Sequence, residues 1–190
     1  MGGRSEAVTC DVTDLLAVTD LFAQVKKTYG GIDILVLNTG VDAEYICVED
    51  SDPALWTRIV EVNLFGAYYC TRAAIPLLKT RGGGPIMMGS GLGHHGRIRQ
   101  SAYSCSKAGL WMLTRVLSDE LAVDYISVNE IIPGPVDTDM ARTDTDLSRV
   151  SSLEGEWFKR PEEVPLALFL ATHPKPGPTG QSFSVMRRTL

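Results

Sequence analysis

The sequence predicts one α/β domain over residues 1–190, built on an open, doubly wound parallel sheet. Three observations carry that expectation. Short apolar runs recur about 40 residues apart. Between them lie segments whose apolar residues fall three and four apart, as on one face of a helix. Glycines and prolines punctuate the junctions. Strands separated by helical segments favour parallel pairing, because a parallel partner is reached only through a long crossover.

Ala7-Val8-Thr9-Cys10 reads as a short opening strand. Thr13 or Asp14 can cap the next helix, whose stripe is Leu15, Val18, Leu21, Phe22 and Val25. Gly30-Gly31 ends it. Ile32 to Leu37 is nearly all apolar, which suits a strand covered on both faces, and Asn38-Thr39-Gly40 turns the chain. Asp52-Pro53 opens a long helical pattern through Trp56, Ile59, Val60, Leu64 and Tyr68 to about Lys79, stopped by the glycines at 82 to 84. Ile86-Met87-Met88 forms the next strand, followed by a loop from Gly91 to Gly96. A helix from Ser101 or Ala102 to about Ala122 follows, then a strand over Ile126–Ile131, closed by Pro133-Gly134-Pro135. Arg160-Pro161-Glu162-Glu163 starts a last helix with body Val164 to Ala171, and Phe183-Ser184-Val185 is the final strand.

Composition narrows the function. The chain is 44% hydrophobic and 22% charged, which excludes a disordered chain, a collagen repeat and a coiled coil. Eighteen basic against 23 acidic residues leave a net charge of -5, so no basic field exists to hold nucleic acid. No apolar run approaches the roughly 20 residues of a membrane span, so no membrane partner is expected. Met1 to Glu6 lack the apolar stretch of a secretory leader. Cys10, Cys47, Cys70 and Cys105 form no CxxC pair, so reduced thiols in a cytoplasmic protein are expected rather than zinc or disulfides.

Tyr103 and Lys107 are four apart near a helix start and share a face. A phenol ionises near pH 10, and an ammonium beside it favours the phenolate. Alone, the pair also fits two exposed neighbours. Ser90 follows a buried strand and Asn38 another, and ligands of doubly wound sheets bind beyond such strand ends. Asn63, in Val62-Asn63-Leu64-Phe65-Gly66, is a poor helix former in mid-helix. Gly91-Leu92-Gly93-His94-His95-Gly96 spells GxGxxG, but it trails the strand bearing Ser90 and is read as a flexible active-site loop, not a phosphate cradle. His94 and His95 are expected as exposed loop residues, without metal.

Asp11-Val12, Leu37-Asn38-Thr39-Gly40, Asn63, Ser90, Tyr103-x-x-x-Lys107 and Pro133-Gly134-x-x-x-Thr138 occur in the order and spacing of the short-chain dehydrogenase/reductase family, which the sequence resembles from about residue 7 to 185. The resemblance implies a Rossmann-like sheet and an NAD(P)-dependent oxidoreductase that interconverts a secondary alcohol and a ketone, with a small-molecule substrate and a homo-oligomeric state, dimer or tetramer. It implies that Tyr103 is the proton donor or acceptor, that Lys107 lowers its pKa and bonds the nicotinamide ribose, and that Ser90 bonds the substrate oxygen. Asn63 then anchors a relay water. Asp11 and Val12 fall at the adenine edge, and Asn38, Thr39 and Gly40 along the adenosine and ribose path. Pro133, Gly134, Val136 and Thr138 border the nicotinamide.

The sequence departs from the family at Leu37, where an Asn is usual, and at Val185-Met186-Arg187-Arg188, where an Asp-Gly-Gly segment is usual. It also lacks the family's opening Thr-Gly-x-x-x-Gly-x-Gly turn and begins at the counterpart of the third strand. A sheet without its first two strands is therefore expected, with Ala7–Cys10 left without a neighbour and Ile32–Asn38 at an edge, covered by a partner or by a repositioned Ala7–Cys10. Two other functions stay open: a cofactor-independent isomerase, dehydratase or cyclase on the same scaffold, and an inactive chain acting through oligomerisation along the helices near 54–79 and 102–122. Residues 139–158 fall at the substrate loop, where Trp157 and Phe158 suggest an apolar lid.

Overall fold

The computed structural model describes residues 3–42, 45–138, 160, 165–174 and 177–185, with residues 85–88 described by their backbone. Helix α1 spans Leu15–Tyr29. The Asp14 carboxylate caps it by accepting from the Leu16 and Ala17 amides, and Gly30 closes it at φ 78°. Strand β1 (Ile34–Leu37) pairs in parallel with β2 (Gly84–Met88), β2 with β3 (Asn129–Ile132), and β3 with β4 (Ser182–Ser184). The sheet order is β1-β2-β3-β4.

The expected edge is found at β1, where Ile34 and Val36 are 42% and 48% exposed. Ala7–Cys10 is not a strand, which corrects the reading from sequence. A short β-rich segment becomes a strand only when a neighbour takes its backbone hydrogen bonds, and among the described residues the sheet stops at β1. The segment instead lies over α1, where the Tyr29 hydroxyl donates to Glu6 at 2.9 Å and Val8 shares a cleft with Leu21 and Val25.

The long helical pattern after Asp52 is interrupted once. Helix α2 (Pro53–Val60) runs into a π-helical turn at Glu61–Phe65 and continues as α3 (Gly66–Lys79). Gly83 and Gly84 are obligatory at the next corner. A Cβ at Gly83 would stand 1.7 Å from the Asp33 carbonyl oxygen, and one at Gly84 would stand 1.9 Å from that of Ser127.

The Gly91–Gly96 segment is not an irregular loop but contains one helical turn, α4 (Leu92–His95). Helix α5 (Ser101–Glu120) follows, and α6 (Leu166–Thr172) precedes β4. The expected start of that last helix at Pro161–Glu163, the segment 139–158 with Trp157 and Phe158, and Met186–Arg188 lie outside the described residues.

The core is gathered by α1, α3 and α5 against the sheet. Val18, Ala74, Leu78, Leu110 and Val128 are all but inaccessible. Leu78→Ala is expected to cost about 2–5 kcal/mol of folding stability, the range for a large buried aliphatic that leaves a cavity. Leu16→Ala on the exposed side of α1 should change stability by less than ~0.5 kcal/mol. Urea unfolding of the two variants side by side checks both.

Candidate active site

The site is built where β2 and the segment after β1 meet the start of α5. The Gly89 amide donates to the Ile131 carbonyl at 2.7 Å, so the β2–β3 ladder holds the chain up to the residue before Ser90. The Ser90 hydroxyl bonds the Tyr103 phenol and also accepts from the Leu92 amide at 3.3 Å. Tyr103 stands in the first turn of α5, with Lys107 one turn on. The Lys107 ammonium lies 5.6 Å from the centre of the Tyr103 ring. Its side chain is buried, 5% exposed, although lysine is rarely so.

Burial has opposite effects on the two groups. It pushes the Tyr103 phenol above its ordinary value, with the charge of Asp42 adding to the rise and the Ser90 hydrogen bond pulling it back. The expected lowering is therefore not found: desolvation of the phenolate outweighs every favourable neighbour. Burial lowers Lys107 from 10.5 to about 8, while Glu130 and then Asp42 hold it up. Tyr103 thus keeps its proton at neutral pH, and Lys107 remains largely charged there.

Asn63 is buried and spends its amide on three bonds. Its Oδ1 accepts from the Val41 amide at 2.7 Å, and its Nδ2 donates to the Val41 carbonyl at 2.9 Å and to Ser106 Oγ at 3.0 Å. Ser106 in turn donates to the Tyr103 carbonyl at 2.7 Å. The π-helical turn is what places this side chain inward. Such turns carry one extra residue and are frequent at functional sites. Gly40 completes the wall: a Cβ there would stand 3.4 Å from Asn63 Oδ1 and 3.6 Å from Lys107 Nζ. Asn63, Ser90, Tyr103, Lys107 and Gly40 are thus brought together.

The remaining candidates are more scattered in role. Asn38 and Thr39 leave the C-terminal end of β1. The Asp11 carboxylate accepts from the Thr13 amide at 2.9 Å and hydroxyl at 2.8 Å and pairs with Arg58 at 3.5 Å, which lowers its pKa. Val12 packs into the space left by Gly66, where a Cβ would meet it at 2.6 Å. Beyond β3, Pro133, Gly134 and Val136 are half-buried, Gly134 turns at φ 68°, and Thr138 is exposed with its hydroxyl 3.5 Å from the Val136 carbonyl.

Three groups at the site escaped the sequence reading. Asp42 accepts from Gln100 at 2.8 Å and charges the Tyr103–Lys107 surroundings. Glu130 on β3 is fully buried. His94 is not an exposed loop residue: its Nε2 lies 3.0 Å from Glu130 Oε2 and its ring 4.8 Å from that of Trp111. A glutamate in β3 (Asn129–Ile132), next to Ile131 and Ile132, was the available signal, since an unpaired carboxylate does not stay buried. His95 is exposed, as expected. No group of three His, Cys, Asp or Glu able to hold a metal occurs among the described residues, and the four cysteines are free thiols.

A family model for short chain dehydrogenases matches residues 2–147. The chain is 32% identical to the 3-oxoacyl-(acyl-carrier-protein) reductase FabG of Thermotoga maritima, over 96% of this chain and 76% of that protein. It is 30% identical to a 3beta-hydroxysteroid dehydrogenase of Mediterraneibacter gnavus, over 83% of this chain and 60% of the relative. The crystal structure of a short-chain type dehydrogenase/reductase from Mycobacterium marinum superposes with a TM-score of 0.88 at 31% identity, covering 97% of this chain and 75% of that one.

The buried lysine has a measurable signature. The folded chain sheds the Lys107 proton near pH 8 and the unfolded chain near 10.5, so between those values the unfolded state binds more protons. The Lys107 contribution to stability therefore rises with pH through that window. Denaturation of the wild type and of Lys107→Met across pH 7 to 11 should show the rise in the first and its loss in the second.

Proposed function

This chain belongs to the short-chain dehydrogenase family of oxidoreductases, and from that membership we propose that it interconverts a secondary alcohol and a ketone of a small molecule using NAD or NADP. The observation that carries the reading is the Ser90–Tyr103 hydrogen bond with a buried lysine one turn below it. Two hydroxyls within bonding reach of each other can both turn their protons to a carbonyl oxygen that displaces the bond between them.

In the direction of reduction, Tyr103 gives its proton to the carbonyl oxygen. A phenol whose pKa is pushed up by burial holds that proton at neutral pH, as a donor must. Ser90 donates a hydrogen bond to the same oxygen as negative charge grows on it. Lys107 stabilises the phenolate left behind and returns a proton to it. Asn63 holds the backbone at Val41 and, through Ser106, the Tyr103 carbonyl, so both proton-carrying side chains leave a fixed helical turn. A water anchored at the π-helical turn would reload Lys107 from solvent.

The nicotinamide coenzyme supplies or accepts the hydride when bound. Tyr103 and Lys107 would hold its ribose, and Pro133, Gly134, Val136 and Thr138 would border its ring. Gly40 fits that use, because a Cβ there would already touch Asn63 Oδ1 and Lys107 Nζ, and glycine leaves that space beside the ammonium open. Asn38 and Thr39, with Asp11 and Val12 farther on, would line the adenosine side. A cofactor-independent isomerase, dehydratase or cyclase on the same scaffold is the alternative reading. Exposed Phe65 and Tyr68, with Met112 and Val116 on α5, support a homo-oligomer. Free thiols support a cytoplasmic setting.

Titration of the folded chain with NADH and NADPH, followed by nicotinamide fluorescence, decides between the readings. Micromolar binding with reduction of members of a ketone panel is expected. No binding at millimolar coenzyme overturns the dehydrogenase reading. Tyr103→Phe should bind coenzyme as the wild type does and lose at least about a hundredfold in kcat. Alcohol oxidation, which needs the phenolate, should quicken as pH rises from 7 towards 8 and then level off as Lys107 sheds its charge.

A further inference from the structure

Glu130 is a costly residue in its place. It sits in the middle of β3, fully buried, between strands and beneath α5. Its Oε2 takes the Ser182 hydroxyl of β4 and His94 Nε2 at 3.0 Å, while its Oε1 has no hydrogen-bond partner among the described residues. Room for it exists only because residue 89 is glycine: a Cβ there would stand 1.9 Å from Oε1. The carboxylate therefore lies against the backbone of the residue that precedes Ser90.

His94 extends this contact to the other wall of the site. A carboxylate only accepts, so His94 Nε2 is the donor. The ring packs against that of Trp111, one turn beyond Lys107, at an interplanar angle of 49°. The turn that carries His94 presses on α5: a Cβ at Gly93 would stand 2.7 Å from the Lys107 carbonyl carbon. The same turn is bonded to Ser90, through the Leu92 amide to Oγ at 3.3 Å and the Gly93 amide to the carbonyl at 3.0 Å.

We propose that Glu130 and His94 are positioning residues for the proton-transfer site, a buried pair that clamps the α4 turn between β3 and α5 and so sets the distance of Ser90 from Tyr103. The inference rests on the reductase reading of Ser90, Tyr103 and Lys107. Glu130 has a second effect through its charge. The ionisable groups facing Lys107 are Tyr103 on its own helix, Asp42 on the segment after β1, and Glu130 on β3. Those facing His94 are Glu130 and, behind the Trp111 ring, Arg115. Neutralising Glu130 lets burial push Lys107 further down, whereas removing His94 leaves that charge in place.

Glu130→Gln, His94→Leu and the double variant test this. Each single change is expected to lower kcat at least tenfold with KM altered less than threefold. The double variant should lose no more than the worse single, because the two residues act as one unit. The alkaline limb of the pH profile should move to lower pH in Glu130→Gln and stay in His94→Leu. Amide exchange at Leu92 and Gly93 should quicken at least tenfold in both, while that of the second half of α5 holds. Additive losses, an unmoved alkaline limb in Glu130→Gln, or activity that falls only in step with the melting temperature would overturn the proposal. A wild type that turns over neither NADH nor NADPH sinks the reductase reading alone. The clamp is then decided by exchange, and unchanged rates at Leu92 and Gly93 in both variants overturn it.

Discussion

The Asn63 side chain joins three segments that are far apart in sequence: the π-helical turn it belongs to, the Val41 backbone beyond β1, and Ser106 in α5. An amide can do this only if its own helix turns it inward at the right height. The extra residue of the Glu61–Phe65 turn does that, at the cost of regular helical bonding. Once Asn63 is placed, Ser106 and then the Tyr103 carbonyl follow, and α5 cannot slide or rotate without breaking a bond in the series. Each such buried bond contributes about 0.5–1.5 kcal/mol net, but each leaves a desolvated group behind if lost. Position, more than stability, is what the series secures.

A buried ammonium is the second constraint. Lys107 gives up most of its hydration and recovers part of the loss from two carboxylates, Glu130 on β3 and Asp42 on the segment after β1. A lysine held near its point of deprotonation answers to small changes of charge around it, which an exposed lysine does not. The phenol beside it is displaced the other way, so at neutral pH the donor holds its proton firmly while its electrostatic partner lies close to its own point of deprotonation.

Much of this was legible in the residues. The apolar run Ile32–Leu37, the glycines at 82 to 84 and the stripe Leu15–Val25 gave β1, the corner before β2 and α1, because local pattern and tertiary role agree there. The edge at β1 was legible too. Ala7–Cys10 misled because strand propensity has no meaning without a neighbour. The Gly91–Gly96 segment misled because its order comes from contacts made elsewhere in the chain: Gly93 against Lys107, His94 against Glu130. Asn63 stood out as an ill-fitting helix residue, yet the π-helical turn that explains it depends on Val41 and Ser106, some 22 and 43 positions away. The tyrosine–lysine spacing was plain, but the sign of the phenol shift was not, since burial is a property of the packed state.

The order β1-β2-β3-β4 has a further consequence for how the chain acquires its shape. Every strand among the described residues lies beside its predecessor, and each pairing joins residues roughly 50 positions apart. Closing loops of such similar length carries similar entropy, because that cost grows only with the logarithm of length. No strand has to be inserted between two already paired. During synthesis each of these strands can therefore pair with the one laid down just before it, and this part of the sheet can grow in the order in which it is translated.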